Sequence, residues 1–268
     1  MSFYGVASSS GTESLGRGLR QIINDGRVAF GGWCMVASPF VAEVVSASGC
    51  DWLCIDQQHG LIADDAMFAM VQAAAIRRTP VLVRVPWNAP APIMRALDAG
   101  ADGVIVPMVN TAEEAATAIA ASRYPPAGCR SFGPLRAGMA LPSFSPSVGN
   151  EHVVLLVMVE TLQAFENLDS ILDVPGLDGV LVGPFDLAVS HTGQTDGAAS
   201  SARDVEMIEQ IAQACTKRGL VAAISGITLA DAPRWQEAGY TMLSLPSDAA
   251  LLGDGMAAAV AAARSTHP

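Results

Sequence analysis

The sequence predicts an α/β protein, a single-domain (β/α)8 barrel of the TIM-barrel type. Short apolar runs with β-strand character alternate with Ala-rich helical runs, and eight such units follow one another along 268 residues. Eight successive units favour a closed parallel barrel over an open doubly wound sheet. The apolar runs are hydrophobic throughout, as expected of strands that are buried on both faces. A length of about 250 residues is typical of this fold.

The predicted elements cover the chain in a regular order. Strands are expected at 29–35, 52–56, 81–85, 103–107, 153–160, 179–182, 221–225 and 240–245. Helices are expected at 39–48, 64–77, 90–99, 112–122, 161–172, 203–218, 228–238 and 247–264. Residues 1–15 are rich in Ser and Gly and are predicted to form a flexible arm, so the barrel domain is assigned to 16–268.

Turn residues support these boundaries. A glycine of the kind that ends helices precedes four of the predicted strands, at Gly49, Gly100, Gly219 and Gly239. Thr111 is followed three residues later by Glu114, which resembles a capping box at a helix start. The irregular segment 124–150, rich in Pro, Gly and Ser, separates the fourth and fifth strands and is expected to lie over the barrel mouth.

The composition limits the possible partners. A formal net charge of −11 argues against a nucleic-acid surface or an anionic membrane. No apolar run is long enough to span a bilayer, and the first residues lack the pattern of a secretory signal. The five cysteines lack zinc-type spacing and are expected to be reduced thiols in a cytosolic core. We therefore expect a cytoplasmic protein.

Two acidic residues follow predicted strands and would share the barrel mouth. Glu160 ends the fifth strand in LLVMVET, and Asp186 lies just after the sixth in LVGPFDL. Because the carboxyl ends of barrel strands lie on one face, the two carboxylates are expected to be close together. Such a pair leaves most positions of an octahedral Mg²⁺ or Mn²⁺ open to water and substrate oxygens. The alternative is that each acid pairs with an arginine or a helix N-terminus.

The turn that contains Asp186 is also a candidate substrate site. In Gly183-Pro184-Phe185-Asp186, glycine allows a ligand to approach the backbone and proline suits the first turn of a helix. The free N–H groups of Phe185 and Asp186 would bind a substrate carboxylate at the positive end of the helix dipole.

Three further residues lie at strand ends two and three. Arg84 ends the third strand, where a guanidinium can bond an oxygen on which negative charge develops. Its alternative is an internal ion pair with Asp56 or Glu160. His59 follows Asp56 by three residues, so the carboxylate is expected to orient the imidazole for proton transfer.

Asp98 ends a helix, which places it at the opposite end of the barrel unless a neighbouring subunit brings it to another site.

The sequence resembles the HpcH/HpaI family of metal-dependent, class II pyruvate aldolases. The resemblance covers residues 31–252 and rests on several motifs in the same order. These are GGWCMVASPFVAEVVSASGCDWLCIDQQHG, VRVPWN, RALDAGADGVIVPMVNTAEEA, RYPPAGCRSFGP, VMVET and VGPFDLA.

The resemblance implies a site and an assembly. A divalent cation (Mg²⁺, Mn²⁺ or Co²⁺) would be held by Glu160 and Asp186 and chelated by the 2-keto acid. Arg84 would stabilise the enolate oxygen, and His59, supported by Asp56, would take part in proton transfer. Trp33 would line the pocket, and the backbone of 183–186 would bind the substrate carboxylate. Family members are commonly hexamers built from trimers, in which the last helix packs on a neighbour and the residue matching Asp98 reaches an adjacent site.

Two positions depart from the family pattern. Gln58 stands immediately before His59 where the family usually has Glu, which removes a charge near the cation. Met158 stands two residues before Glu160 where many members have Gln, which is expected to affect the choice of keto acid or aldehyde. Neither change removes a proposed ligand, so activity is expected to survive.

The expected function is reversible cleavage of a 4-hydroxy-2-keto acid into pyruvate, or hydroxypyruvate, and an aldehyde, through a metal-stabilised enolate. Lys217, the only lysine, lies in a predicted helix, so a Schiff-base aldolase would lack its nucleophile. One alternative is related enolate chemistry, either oxaloacetate decarboxylation or CoA-ester lysis, although no cluster of basic residues is present for CoA phosphates. The other is a barrel without catalytic activity that binds keto acids.

Overall fold

A computed structural model describes residues 18–141, 143–193 and 201–265, so the predicted arm at 1–15 lies outside the described residues. The eight strands form a closed parallel barrel in sequence order, with β8 paired to β1. This confirms the predicted fold. The strands are β1 (Ala29–Cys34), β2 (Trp52–Asp56), β3 (Val81–Arg84), β4 (Gly103–Val106), β5 (Val154–Val159), β6 (Gly179–Val182), β7 (Val221–Ile224) and β8 (Met242–Ser247).

Both faces of the strands are buried, as the unbroken apolar runs predicted. On β2, Cys54 belongs to the cluster inside the barrel, whereas Leu53 and Ile55 belong to the layer between strands and helices. Successive side chains of a strand point to opposite faces, so one apolar run supplies both layers. The inner cluster includes Trp52 and Met158, which are almost fully buried. The barrel centre is therefore packed with side chains.

Helices occur in all eight predicted regions, and four further helices lie outside the predicted ranges, namely Leu19–Asn24, Ala137–Ala140, Pro146–His152 and Pro184–Thr192. They are α1 (Leu19–Asn24), α2 (Pro39–Ala47), α3 (Asp64–Ile76), α4 (Pro90–Asp98), α5 (Ala112–Ser122), α6 (Ala137–Ala140), α7 (Pro146–His152), α8 (Leu162–Glu166), α9 (Leu168–Leu172), α10 (Pro184–Thr192), α11 (Ala202–Arg218), α12 (Ala232–Ala238) and α13 (Asp248–Ser265). The single helix predicted at 161–172 is two, because Asn167 is the C-cap of α8 and the N-cap of α9.

The predicted turn chemistry is largely confirmed. The four glycines before strands all have positive φ, between 67° and 110°. The Thr111 side chain caps α5 by accepting the Glu114 amide at 3.3 Å. The Glu114 carboxylate, however, accepts the amide of Asn110 at 2.6 Å. It therefore contacts the residue before the cap, and the predicted capping box is only half formed.

The described residues of the segment 124–150 lie at the amino ends of the strands, and the prediction had placed the segment at the carboxyl ends. Arg130 Nη2 donates to Asp98 Oδ1 at 2.7 Å, and the Arg136 amide donates to the Asp98 carbonyl at 3.2 Å. Both contacts lie where α4 ends and the chain turns into β4, at the amino ends of the strands. The expectation that this segment covers the mouth was wrong, because it follows helix α5, which has already returned the chain to that end.

The C-terminal helix α13 packs little against its own barrel. Only its first residue, Asp248, is buried, and the apolar side chains along the helix are exposed. Among them Leu252 is 68% and Met256 is 62% exposed. Within the described ranges, no helix combines the length and the hydropathy needed to cross a membrane.

Candidate functional site

The carboxyl ends of β2, β3, β5 and β6 bring most of the predicted residues to one mouth. Asp56 and Arg84 are register partners at the ends of β2 and β3. Glu160 immediately follows β5, and Gly183 immediately follows β6. The parallel barrel thus gathers residues that are far apart in sequence, as predicted.

A buried ion pair forms the first half of the site. Arg84 donates from Nε to Asp56 Oδ1 at 2.8 Å and from Nη2 to Asp56 Oδ2. Trp33 donates its Nε1–H to Asp56 Oδ2 at 3.3 Å, and the guanidinium lies 5.0 Å from the centre of the Trp33 ring. Burial raises the pKa of Asp56, but the hydrogen bonds and charge of Arg84 and the bonds from two backbone amides lower it by a larger amount. The net shift of the pKa is therefore downward. Asp56 is therefore a permanent carboxylate that orients Arg84.

The contact between Asp56 and His59 differs from the predicted one. Asp56 Oδ1 accepts the backbone amides of Gln58 at 3.0 Å and His59 at 3.3 Å. Among the described residues, the exposed His59 imidazole has no hydrogen-bond partner. The predicted carboxylate–imidazole contact is thus absent from the described part of the chain, because both oxygens of Asp56 already accept other donors. Asp56 fixes the loop that carries His59 but leaves its ring free.

Two carboxylates form the second half of the site. Glu160 is 1% exposed, and its Oε1 accepts the Met108 amide at 2.7 Å. Burial, followed by the proximity of the Asp186 carboxylate, raises the pKa of Glu160 to about 7, even though Met108 and Arg84 act in the opposite direction. Glu160 and Asp186 are close enough to share a hydrogen bond when one of them is protonated. Neither forms a salt bridge among the described residues, so an arginine partner is not seen there. Asp186 does lie in the first turn of α10, as the alternative of a helix N-terminus predicted.

The turn after β6 lies directly against this carboxylate pair. A Cβ atom built on Gly183 would be 3.0 Å from Glu160 Oε2 and 3.1 Å from Met158 Cε. Gly183 is the N-cap of α10 and has no side chain to cap it, so it leaves the first-turn amides of Phe185 and Asp186 available at the end of the helix that follows β6. Pro184 is buried, and Phe185 is 51% exposed. A side chain at position 183 would therefore require the Glu160 carboxylate or Met158 to move by a few tenths of an ångström.

Asp98 does not join the mouth within one chain. It lies at the end of α4 and is paired with Arg130, whose guanidinium is 4.5 Å from the centre of the Tyr124 ring. This agrees with the prediction that Asp98 lies at the opposite end of its own barrel.

The donor set at the mouth fits a divalent cation. Glu160 and Asp186 supply two neighbouring carboxylates without a salt-bridge partner, and Gly183 leaves space beside them. Within the described ranges no three His, Cys, Asp or Glu side chains form one cluster, so further ligands would come from water or substrate. A cation bound between the two carboxylates would offset the repulsion from Asp186 that, together with burial, raises the pKa of Glu160.

Sequence reasoning missed some residues that shape the mouth. Met108 supplies the amide to Glu160, and nothing in its residue type indicates this role. Asp248, which follows β8, accepts the amides of Met35 at 2.9 Å and Val36 at 3.2 Å and so holds the loop after β1. An acid directly after a strand was a signal of the kind used for Glu160, and it could have been found.

A closed barrel with acids, an arginine and a histidine at the carboxyl ends of its strands defines the class of barrel enzymes whose reactions occur at that mouth. Residues 29–253 match the family model for HpcH/HpaI aldolase/citrate lyase. The chain therefore belongs to the HpcH/HpaI aldolase/citrate lyase family, which confirms the resemblance noted in the sequence. It is a carbon–carbon lyase of the aldolase type.

Individual relatives agree with this assignment. The chain is 36% identical over 253 residues to a 4-hydroxy-2-oxo-heptane-1,7-dioate aldolase of Klebsiella pneumoniae, with 92% of this chain and 93% of the relative covered. The crystal structure of an HpcH/HpaI aldolase from Desulfitobacterium hafniense has a TM-score of 0.84 at 27% identity and covers 92% of this chain and 96% of its own. A family protein from Burkholderia cenocepacia also has a TM-score of 0.84 at 27% identity, with coverages of 91% and 98%.

Proposed function

We propose that this lyase cleaves 4-hydroxy-2-keto acids reversibly into pyruvate, or hydroxypyruvate, and an aldehyde, with a divalent cation held by Glu160 and Asp186. The observation that carries the proposal is the buried Glu160 carboxylate, which lies near the exposed Asp186 carboxylate and has no salt-bridge partner among the described residues, beside the Arg84–Asp56 ion pair at one mouth. When bound, the cation supplies positive charge to the carboxylate and keto oxygens of the substrate.

Arg84 is suited to receive the developing enolate oxygen. Its Nε and Nη2 are held by Asp56, which leaves Nη1, 3.9 Å from Met158 Sδ, as the nitrogen without an oxygen partner among the described residues. In cleavage the C3–C4 electrons move toward the C2 oxygen, and the N–H groups on Nη1 would donate to that oxygen as its charge grows. The ion pair holds the guanidinium in place before the charge develops.

His59 is proposed to carry the proton. Its loop is fixed through its backbone amide, while its exposed ring is free to approach the 4-hydroxyl group of a bound substrate. The imidazole would remove that proton in cleavage, and the imidazolium would return it to the aldehyde oxygen in synthesis.

The substrate carboxylate would accept hydrogen bonds from the amides of Phe185 and Asp186 at the start of α10.

The chain argues against a Schiff-base mechanism. Its only lysine, Lys217, is exposed near the end of α11, at the opposite end of the barrel from Glu160. Borohydride added together with pyruvate would therefore leave the activity unchanged.

We also propose that the chain forms a hexamer of two trimers. The exposed apolar side chains of α13, including Leu251, Leu252 and Met256, support burial of this helix against a second copy. In such an assembly Asp98 of one copy would approach a neighbouring mouth. Light scattering coupled to gel filtration tests the assembly, and a monomer with full activity would refute it.

The five free thiols support a cytoplasmic location as part of this proposal.

The experiment that tests the reaction uses the metal-stripped protein. Mg²⁺, Mn²⁺ and Co²⁺ are each added back with pyruvate or hydroxypyruvate and a panel of aldehydes, and 4-hydroxy-2-keto acid formation is followed by chromatography. We expect no product after EDTA treatment and restored product with at least one cation. Full activity of Glu160→Ala or Asp186→Ala would refute the assigned ligands, and cation-independent turnover would refute the metal.

A further inference from the structure

We propose that the turn 107–110 after β4 is a positioning device for Glu160, in which Asn110 holds the Met108 backbone so that its amide fixes one carboxylate oxygen. The proposal rests on the proposed function, because it treats Glu160 as a metal ligand. Its starting observation is the 2.7 Å hydrogen bond from the Met108 amide to Glu160 Oε1.

Met108 makes this bond from an unfavourable backbone conformation. Its φ is 56°, in the left-handed region that residues with a side chain rarely adopt. Such a conformation persists only when the surrounding structure holds it in place, and it occurs most often at functional sites. A turn with negative φ at Met108 would follow a different path after this amide, so a further group is needed to hold the observed conformation.

Asn110 is that group. Its Nδ2 donates to the Met108 carbonyl at 3.1 Å, and its Oδ1 accepts the hydroxyl of Thr161. Its own backbone is held on both sides, since its amide donates to Glu114 at 2.6 Å and its carbonyl accepts Nδ2 of Asn167 at 2.8 Å. All four polar groups of Asn110 are therefore hydrogen-bonded.

These hydrogen bonds connect the turn 107–110 after β4 with the turn after β5, which begins at Thr161. Thr161 immediately follows Glu160 and caps α8 by accepting the Ala164 amide at 3.0 Å. Through Asn110, the same hydroxyl is connected to the turn that supplies the Met108 amide. Met108 thus holds the Glu160 carboxylate, while Asn110 is bonded to Thr161, the residue that follows Glu160.

The consequence is a carboxylate that is oriented before a cation binds. With Oε1 held by Met108, Oε2 lies beside Gly183, 3.0 Å from the position of an added Cβ. Groups outside the direct ligands that orient them typically affect metal affinity by about 10–100-fold. Asn110 and Met108 are therefore positioning residues, which act on a cation only through Glu160.

A purely structural role for Asn110 makes a different prediction. If its hydrogen bonds only connect two loops, its removal lowers the melting temperature but leaves cation affinity unchanged. Glycine separates the two explanations, because it adopts positive φ without a steric cost. A glycine at position 108 should therefore need less support from Asn110.

The experiment measures Mn²⁺ binding to the substrate-free protein by electron paramagnetic resonance of free Mn²⁺, at one pH, with circular dichroism to confirm folding. The variants are Asn110→Ala, Met108→Gly, Met108→Val, the double variant Met108→Gly/Asn110→Ala, and Glu160→Gln. We expect Asn110→Ala to weaken Mn²⁺ binding by about 10-fold. The double variant should recover most of that loss, and Met108→Val should bind more weakly than Met108→Gly, because β-branched side chains disfavour positive φ.

The outcomes separate this proposal from the proposed function. No Mn²⁺ binding by the unchanged protein would refute the metal site, and the positioning role with it. Loss of binding in Glu160→Gln but full affinity in Asn110→Ala would refute the positioning role alone. An equal loss in Asn110→Ala and the double variant would also overturn it. If Asn110→Ala does not fold, the order of Met108→Gly and Met108→Val decides, and equal affinities refute the proposal.

Discussion

Breaking the ion pair between Asp56 and Arg84 is expected to be costly, and the structure allows the cost to be worked out. Asp56 is 0% and Arg84 is 7% exposed, so neither charge would be well hydrated without the other. Replacing one member of a buried pair leaves an uncompensated charge, which costs about 3–5 kcal/mol. Asp56→Ala should show the full effect, because Arg84 loses the carboxylate that binds two of its nitrogens. For a chain of this size the melting temperature should fall by roughly 10 °C.

Arg84→Met should cost less than Asp56→Ala. The Asp56 carboxylate would keep three donors, namely the Trp33 indole and the amides of Gln58 and His59. The double variant removes both charges together, so its loss of stability should be smaller than the sum of the two single losses by about 2 kcal/mol.

The assay is urea-induced unfolding of the four proteins, followed by circular dichroism. The control is the same cycle on Arg77 and Glu43, a surface pair with a distance of 3.2 Å, where the coupling should stay below about 1 kcal/mol. Additivity within about 0.5 kcal/mol for the Asp56–Arg84 cycle would refute the reasoning, because it would mean that the two buried groups do not depend on each other.

Three further predictions concern the remaining residues of the mouth. In metal-free protein the pKa of Glu160 is raised to about 7, so its stabilising contribution is complete below about pH 4.5 and is lost as the pH rises through 7. In urea unfolding, the free energy of unfolding of the wild type should fall by about 3 kcal/mol relative to that of Glu160→Gln between pH 4.5 and 8. The exposed control Glu237→Gln should show the same pH dependence as the wild type. The same pH dependence in Glu160→Gln and the wild type would contradict the prediction. Gly183→Ala should reduce kcat/KM by at least about 10-fold with little change in melting temperature, because the new Cβ would displace Glu160 Oε2. Unchanged kinetics would show that the added methyl group does not disturb Glu160. His59→Asn should lower kcat by about 100-fold without changing thermal stability, and a large stability loss would instead indicate a structural role.

The sequence predicted the strand-end residues of the mouth because topology alone determines their position. Once eight parallel strands close into a barrel, the residues after β2, β3, β5 and β6 must share one end, whatever their side chains do. Asp56, Arg84, Glu160 and Gly183 were found in this way. The same reasoning placed Asp98 at the other end, where it is paired with Arg130.

What could not be predicted depends on the local path of the backbone. The carboxylate of Asp56 accepts the amide of His59 rather than its ring, because the turn after β2 folds back over the strand end. The segment 124–150 was expected at the mouth because of its length, but it follows a helix and precedes a strand, which places it at the amino ends of the strands. Met108 has an apolar side chain, and its contribution is a backbone amide in a turn with positive φ, which residue type does not encode.

The two halves of the mouth differ in charge, and this difference explains why a cation is needed for the proposed reaction. The charges of Arg84 and Asp56 cancel, so this half holds the guanidinium in a fixed orientation but adds little net charge. Glu160 and Asp186 add negative charge without a salt-bridge partner in the described part of the chain, on a protein whose formal net charge is already −11. A keto acid anion would be repelled by that surface. A divalent cation bound between Glu160 and Asp186 would cancel their charge, and only then would Arg84 and the α10 amides present a site that attracts an anion.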